Sequence, residues 1–181
     1  MGAAATAFVD RDGVINRKRP EGEYVNCREE FELLPGSVDA LVNLSLAEFK
    51  VVIVTNQQGI AKGITDRALV DSLHAELIQT VSEAGGRISQ VQVCPHLDGS
   101  CECRKPAVGL FERARAADPA IDFARSVVIG DSESDIEAAK RIGAKPVLVS
   151  GIGSSKPRAD GVVEVADLSA AADLLTDVAR V

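Results

Sequence analysis

Short runs of consecutive apolar residues recur along this chain, and a segment with helical spacing follows almost every one. Residues 3–9, 51–55 and 126–130 are apolar without the in–out alternation of a half-exposed strand, which predicts strands buried on both faces. Residues 90–94 add another strand between the last two. Residues 65–84 set Leu69, Leu73, Leu77 and Val81 at four-residue steps, an amphipathic helix stopped by Gly85-Gly86. Further helices are predicted at 37–49, 108–117 and 134–142, short strands at 146–150 and 161–165, and a last helix at 168–178. Such strand–helix alternation predicts an α/β fold with a central parallel sheet and helices on both faces. In these sheets ligands bind outside the carboxyl ends of the strands. That rule singles out Asp10, Thr55 and Asp131, each at the carboxyl end of a predicted strand, with Lys105 following the third strand after a loop.

With 181 residues and 46% hydrophobic content, residues 1–181 can bury a sizeable core as a single domain, and no internal repeat or linker divides them. The net charge of -7 argues against a nucleic-acid partner, which needs basic residues along its phosphates, but leaves a small phosphorylated ligand open. No apolar run approaches the ~20 residues of a membrane span. Met1 to Phe8 lacks the charged start and long apolar core of a signal peptide. A cytoplasmic monomer with no membrane partner is expected.

Four places carry chemistry. Asp10-Arg11-Asp12-Gly13 puts two carboxylates two residues apart just past a strand. One can attack phosphorus while the other protonates a leaving oxygen and later activates water. An acidic turn closing a strand has the same appearance. Thr55-Asn56 offers a hydroxyl and backbone amides at a strand end. Arg104-Lys105 is a cation pair suited to phosphate, with Pro106 fitted to a first helical turn. Asp131 and Asp135 lie one turn apart where an apolar strand opens into a helix. Their oxygen ligands suit Mg²⁺, and helix capping is compatible with that role.

In this order the motifs resemble the haloacid dehalogenase superfamily of phosphatases, over most of the chain. The resemblance implies a Rossmann-like three-layer sandwich, Asp10 as nucleophile and Asp12 as general acid/base. It also implies Thr55 and Lys105 on the transferring phosphoryl group, and Mg²⁺ on Asp10, Asp131 and the Asp12 carbonyl. Charge neutralisation by Mg²⁺ and Lys105 is what such a transfer needs.

Of the four cysteines, three cluster with a histidine: Cys94, His96, Cys101 and Cys103 fall within ten residues. Three thiolates and an imidazole can close a tetrahedral structural Zn²⁺ site over the loop 94–103, which ends directly at Arg104-Lys105. Chance clustering of reduced thiols is the alternative. With this loop, the segments around Asp10, Thr55–Gly63 and Cys94–Pro106 resemble the heptose-1,7-bisphosphate 7-phosphatase family, to which the histidinol-phosphate phosphatases are close. Lys62 stands where that family's segment carries Arg. The narrower resemblance implies a phosphorylated sugar substrate, with Asn56 and Arg104 contacting it beyond the transferred phosphate. No insertion for a large cap domain is visible, so loops such as 17–26 and the zinc loop would shape the site. A phosphorylated receiver-like binding module is the alternative of another class. Three further features are read as having no function: His74 as a surface or partly packed side chain, Cys27 as an unpaired thiol, and Lys156 with Arg158 as a solvated loop.

Overall fold

The computed structural model describes residues 5–151, 156–157 and 160–178. One sheet contains β1 (Thr6–Val9), β2 (Lys50–Asn56), β3 (Ile88–Cys94), β4 (Val127–Gly130), β5 (Lys145–Val149), β6 (Lys156–Pro157) and β7 (Val163–Val165). The spatial order is β3-β2-β1-β4-β5-β7-β6. All pairings are parallel except the last, where β6 runs antiparallel to β7. The helices are α1 (Ser37–Leu46), α2 (Arg67–Glu83), α3 (Gly109–Ala117), α4 (Glu133–Ile142) and α5 (Leu168–Val178).

The expected α/β architecture is present, with small corrections. Residues 156–157, read from the sequence as loop, form an edge strand. Two residues carry no periodicity, and Pro157 is tolerated there because an edge strand can do without a ladder N–H. Arg158 and residues 3–4 of the first predicted strand lie outside the described residues. Helix α1 stops before residue 49, because Glu48 adopts φ 64° and turns the Phe49 N–H back onto the Leu44 carbonyl. Pro106 precedes α3 by more than one residue and is not in its first turn.

Burial explains why the strands read as unbroken apolar runs. Ala7, Val9, Val51, Ile53, Val127 and Ile129 point to one face and pack on Leu41, Leu44, Leu73, Leu77 and Ala171 of α1, α2 and α5. Phe8, Val52, Val54 and Val128 point to the other, against Leu110, Phe111 and Ala138 of α3 and α4. Phe8 meets Phe111 edge to face, with ring centroids 5.0 Å apart. Each such side chain contributes ~1.5–3 kcal/mol by leaving water. Among the described residues no helix is long and apolar enough to cross a membrane.

The strand order fixes where chemistry can happen. The chain moves outward from β1 to β2 and β3, then returns to lay β4 on the other side of β1. This reversal leaves a crevice outside the carboxyl ends of β1 and β4, the usual ligand position in such sheets. Asp10 follows β1 directly, and Asp131 follows β4.

Candidate active site

The Asp10 backbone N–H donates to the Ile129 carbonyl (2.9 Å), extending the β1–β4 pairing up to the carboxylate itself. Its Oδ1 accepts from the Arg11 backbone N–H (2.8 Å) and faces the Lys105 ammonium at 2.8 Å. Lys105 is buried. It donates to the Val54 carbonyl (2.9 Å) and to Asp135 Oδ1 (2.6 Å), so it joins the ends of β1, β2 and β4. Burial pushes the Asp10 carboxyl up to about 7; Lys105 opposes this, while the Asp135 and Asp12 charges add to it. Burial acts to lower Lys105, but the Asp10 and Asp135 charges outweigh it and hold the ammonium well above the usual lysine range.

Asp135, read from the sequence beside Asp131 as an oxygen donor suited to Mg²⁺, is fully buried. Its Oδ2 accepts from the Ser132 hydroxyl (2.6 Å) and backbone N–H (3.3 Å), closing the capping box of α4, while Oδ1 holds Lys105. One carboxylate thus starts the helix and fixes the buried Lys105 ammonium. Gly130 permits this packing, since a Cβ there would come within 2.2 Å of the Asp135 side chain. Asp131 projects into the crevice beside Gly13, where a Cβ would lie 2.2 Å from Asp131 Oδ2 and the backbone has φ +90°. Only glycine suits that position. Asp131 Oδ2 accepts from Lys18 (2.6 Å), whereas its Oδ1 is buried without a hydrogen-bond partner. Burial raises the Asp131 carboxyl against the opposing charge of Lys18. Carboxylate oxygens of Asp10, Asp131 and Asp135 all lie within 4.8 Å of one another.

Asp12 faces a different environment. Its carboxylate accepts from Arg11 Nη2 (2.8 and 3.0 Å), Asn16 Nδ2 (3.0 Å) and Gln57 Nε2 (2.6 Å). Burial acts to raise this carboxyl, but the Arg11 charge and these hydrogen bonds outweigh it and hold it below the usual carboxylate range. Arg11 itself is the largest fully buried side chain. Its Nη1 lies 3.3 Å from His74 Nε2, and its guanidinium sits 5.4 Å from the Phe31 ring centroid. A guanidinium only donates, so His74 Nε2 accepts and the ring is neutral. Burial, followed by the Arg11 charge, lowers His74 to about 4. The reading of His74 as a surface or partly packed residue is therefore corrected: it is buried and belongs to the support of Asp12.

Thr55 is fully buried behind Gln57, whose Nε2 donates to the Thr55 hydroxyl (2.8 Å) as well as to Asp12. Asn56 bonds the Lys105 main chain in both directions at 3.1 Å, pinning the lysine's loop to the end of β2. Arg104 approaches Asp98 (3.4 Å) and leaves its Nη1 buried without a hydrogen-bond partner. A cavity of about 320 Å³ opens over these groups, lined by Asp10, Asp12, Lys18, Arg19, Asn56, Gln57, Arg104, Lys105 and Asp131 among others. That size suits a small metabolite. Thr55 does not reach its wall. The segments 18–25 and 57–65 meet at the rim, where Lys62 bonds the Tyr24 hydroxyl (2.9 Å).

The second cluster lies below Arg104. Cys94 Sγ is 3.6 Å from Cys101 Sγ and 3.7 Å from His96 Nδ1, Cys103 Sγ is 3.5 Å from Cys101 Sγ, and His96 Nδ1 is 3.2 Å from Cys103 Sγ. A zinc tetrahedron with bonds near 2.3 Å to sulfur and 2.0–2.1 Å to nitrogen has edges of about 3.5–3.8 Å. The four atoms, 3.2–3.7 Å apart, are compatible with that shape but slightly tighter, and a disulfide, at about 2.05 Å, is excluded.

A buried lysine among acidic strand ends, on a parallel sheet of this order, defines a hydrolase of the haloacid dehalogenase type. The family described as HAD-hydrolase-like matches residues 102–178. The chain is 43% identical over 143 residues to the D-glycero-β-D-manno-heptose-1,7-bisphosphate 7-phosphatase of Pseudomonas putida, covering 78% of this chain and 80% of that one. It is 41% identical over 138 residues to the α-anomer enzyme of Mycobacterium tuberculosis, covering 76% and 72%. The crystal structure of the B. bronchiseptica D,D-heptose 1,7-bisphosphate phosphatase, complexed with magnesium and phosphate, superposes with a TM-score of 0.84 at 32% identity, covering 96% of this chain and 98% of that one. The chain belongs to the heptose-1,7-bisphosphate 7-phosphatase family of haloacid dehalogenase-like hydrolases, and so to the phosphoric monoester hydrolases rather than the receiver-like switches.

Proposed function

We propose that this chain removes the 7-phosphate of D-glycero-D-manno-heptose 1,7-bisphosphate through an aspartyl-phosphate on Asp10, in nucleotide-activated heptose biosynthesis. The observation that carries this reading is the set of three carboxylates, Asp10, Asp131 and Asp135, gathered within 4.8 Å around the buried Lys105 at a cavity of metabolite size. The donor set is all oxygen, and Asp131 Oδ1 is buried without a partner, which fits Mg²⁺. Asp10, Asp131 and the Asp12 carbonyl would hold the ion, and when bound it offsets the charge of the phosphate and of the attacking carboxylate.

The chain's own groups do the rest. Asp10 attacks phosphorus, held in place by the Arg11 N–H and by Lys105. Lys105 and Thr55 carry the transferred phosphoryl group, the latter once Gln57 releases its hydroxyl. Asp12 protonates the leaving O7 and then takes a proton from the water that cleaves the aspartyl ester. Its lowered carboxyl suits the second step, so the first needs a proton acquired on substrate binding. Asn56 and Arg104 face the sugar. Zn²⁺ on Cys94, His96, Cys101 and Cys103 is structural, since four protein ligands leave no open position. All these groups come from one sheet, which supports a single-domain enzyme. The reduced thiol cluster supports a cytoplasmic setting.

Steady-state assay of both anomers of the bisphosphate, beside histidinol phosphate, tests the reading. Phosphate release with kcat/KM at least tenfold higher for one heptose anomer, lost in Asp10→Asn, is expected. Preference for histidinol phosphate would move the substrate assignment; a tenth of wild-type activity surviving in Asp10→Asn would overturn the covalent route.

A further inference from the structure

Lys18 is a cation without a role in the chemistry described so far. It lies in the segment before Tyr24, at the solvent side of the carboxylate cluster. Its Nζ donates to Asp131 Oδ2 at 2.6 Å, and it lines the same cavity as Asp10, Arg104 and Lys105. The cluster therefore has a cation on each side: Lys105 from the buried face, locked by Val54 and Asp135, and Lys18 from the open face. The two differ in mobility. Lys105 is buried to 2% side-chain exposure, whereas Lys18 is 55% exposed and held by one ion pair. The open-face ammonium occupies the carboxylate that a divalent cation must take.

We propose that Lys18 is an exchangeable counter-ion: it competes with the divalent metal for Asp131 and, once displaced, transfers its charge to the phosphate of the bound substrate. This rests on the assignment of Asp131 as a metal ligand. The chemistry balances without any bond being formed or broken. One ion pair, ammonium–carboxylate, is replaced by two, metal–carboxylate and ammonium–phosphate, so metal entry frees a positive charge that the phosphate then takes up. An exposed lysine on a long flexible stem suits such exchange, since its point charge follows either anion without a fixed geometry.

Binding of Mn²⁺, counted by electron paramagnetic resonance of the free ion, separates the possibilities. Lys18→Met should bind Mn²⁺ about three- to tenfold more tightly than wild type, the range of an exposed ion pair plus one removed like charge. Binding of inorganic phosphate to the Mn²⁺-loaded protein should weaken by a similar factor. Lys18→Arg, which keeps the charge, should stay near wild type in both. General damage to the loop would weaken both ligands together, so the opposite signs are diagnostic. Unchanged or weaker Mn²⁺ binding in Lys18→Met, or unchanged phosphate binding, would overturn the exchange. Asp131→Asn is the control for the underlying assignment: if it binds Mn²⁺ as well as wild type does, the metal site itself is misplaced.

Discussion

Replacing Arg11 with Met removes a charge that nothing else can supply. The side chain is 1% exposed, so no solvent cation can take its place, and Met matches its aliphatic stem. Three hydrogen bonds to Asp12 disappear, at 2.8, 3.0 and 3.3 Å, together with the contacts to His74 and the Phe31 ring. Breaking a buried pair by deleting one partner costs about 3–5 kcal/mol, because the surviving charge is left uncompensated. Asp12 keeps Asn16 and Gln57, and its side chain is 26% exposed, so the cost falls to the bottom of that range or below it, about 2–3 kcal/mol. For a chain of this length, each kcal/mol shifts the melting temperature by about 2–4 °C, giving a fall of about 4–12 °C. Urea denaturation in a double-mutant cycle with Asp12→Asn isolates the cause. In the Asp12→Asn background the anion paired with Arg11 is gone, so Arg11→Met should cost at least ~1 kcal/mol less than it does in wild type, within the usual coupling range of ~0.5–3 kcal/mol. Additive losses, within ~0.5 kcal/mol, would show that Arg11 acts by filling space and that its charge is irrelevant to Asp12.

Two further perturbations test other parts of the site. His74 is lowered from 6.5 to about 4, so the unfolded chain binds a proton that the folded chain refuses as pH falls through that window. Stability is therefore fully present above pH 6.5 and declines toward pH 4, by roughly 2 kcal/mol at pH 5 from this group. Denaturation curves at pH 7 and pH 5 should show that His74→Gln, which keeps an acceptor for Arg11, is less pH-sensitive than wild type; parallel losses would remove His74 from the explanation. Cys101→Ser should lower bound zinc from about one per chain, measured by elemental analysis, and reduce activity by about 100-fold through misplacement of Arg104 and Lys105, leaving the Mg²⁺ requirement unchanged. Zinc-free protein of full activity and normal melting temperature would make the cluster a coincidence.

The strand ends were legible because burial on both faces writes itself into the sequence as unbroken apolar runs, and the first polar residue after each run must lie at the sheet's edge. Asp10 and Asp131 could be located from that alone, and the zinc ligands from local spacing. The supporting residues could not. Arg11 and His74 are 63 residues apart in sequence, and Lys18 and Asp131 are 113 apart. Nothing in a motif says that the residue between two carboxylates turns inward to be buried against a histidine of α2. Gln57 was visible only as part of a resembling segment, although its one amide couples Thr55 to Asp12. Asp135 was legible as an oxygen donor one turn from Asp131, but its spacing gave no sign that one oxygen closes the capping box with Ser132 while the other holds Lys105.

The two carboxylates of the Asp10-Arg11-Asp12 segment differ by environment alone, and that difference assigns their work. Asp12 has a guanidinium and two amides, so it is ionised at neutral pH and poised to accept a proton. Burial raises the Asp10 carboxyl, and the Lys105 ammonium, which it shares with Asp135, offsets this only in part. A nucleophile must be ionised, so further positive charge in the cluster favours its reactive form. Lys18 cannot provide it, because its ammonium is spent on Asp131. The metal requirement of the proposed reaction then follows from a charge count within the fold: the protein builds three carboxylates around one buried cation, and the shortfall is what a divalent ion makes good.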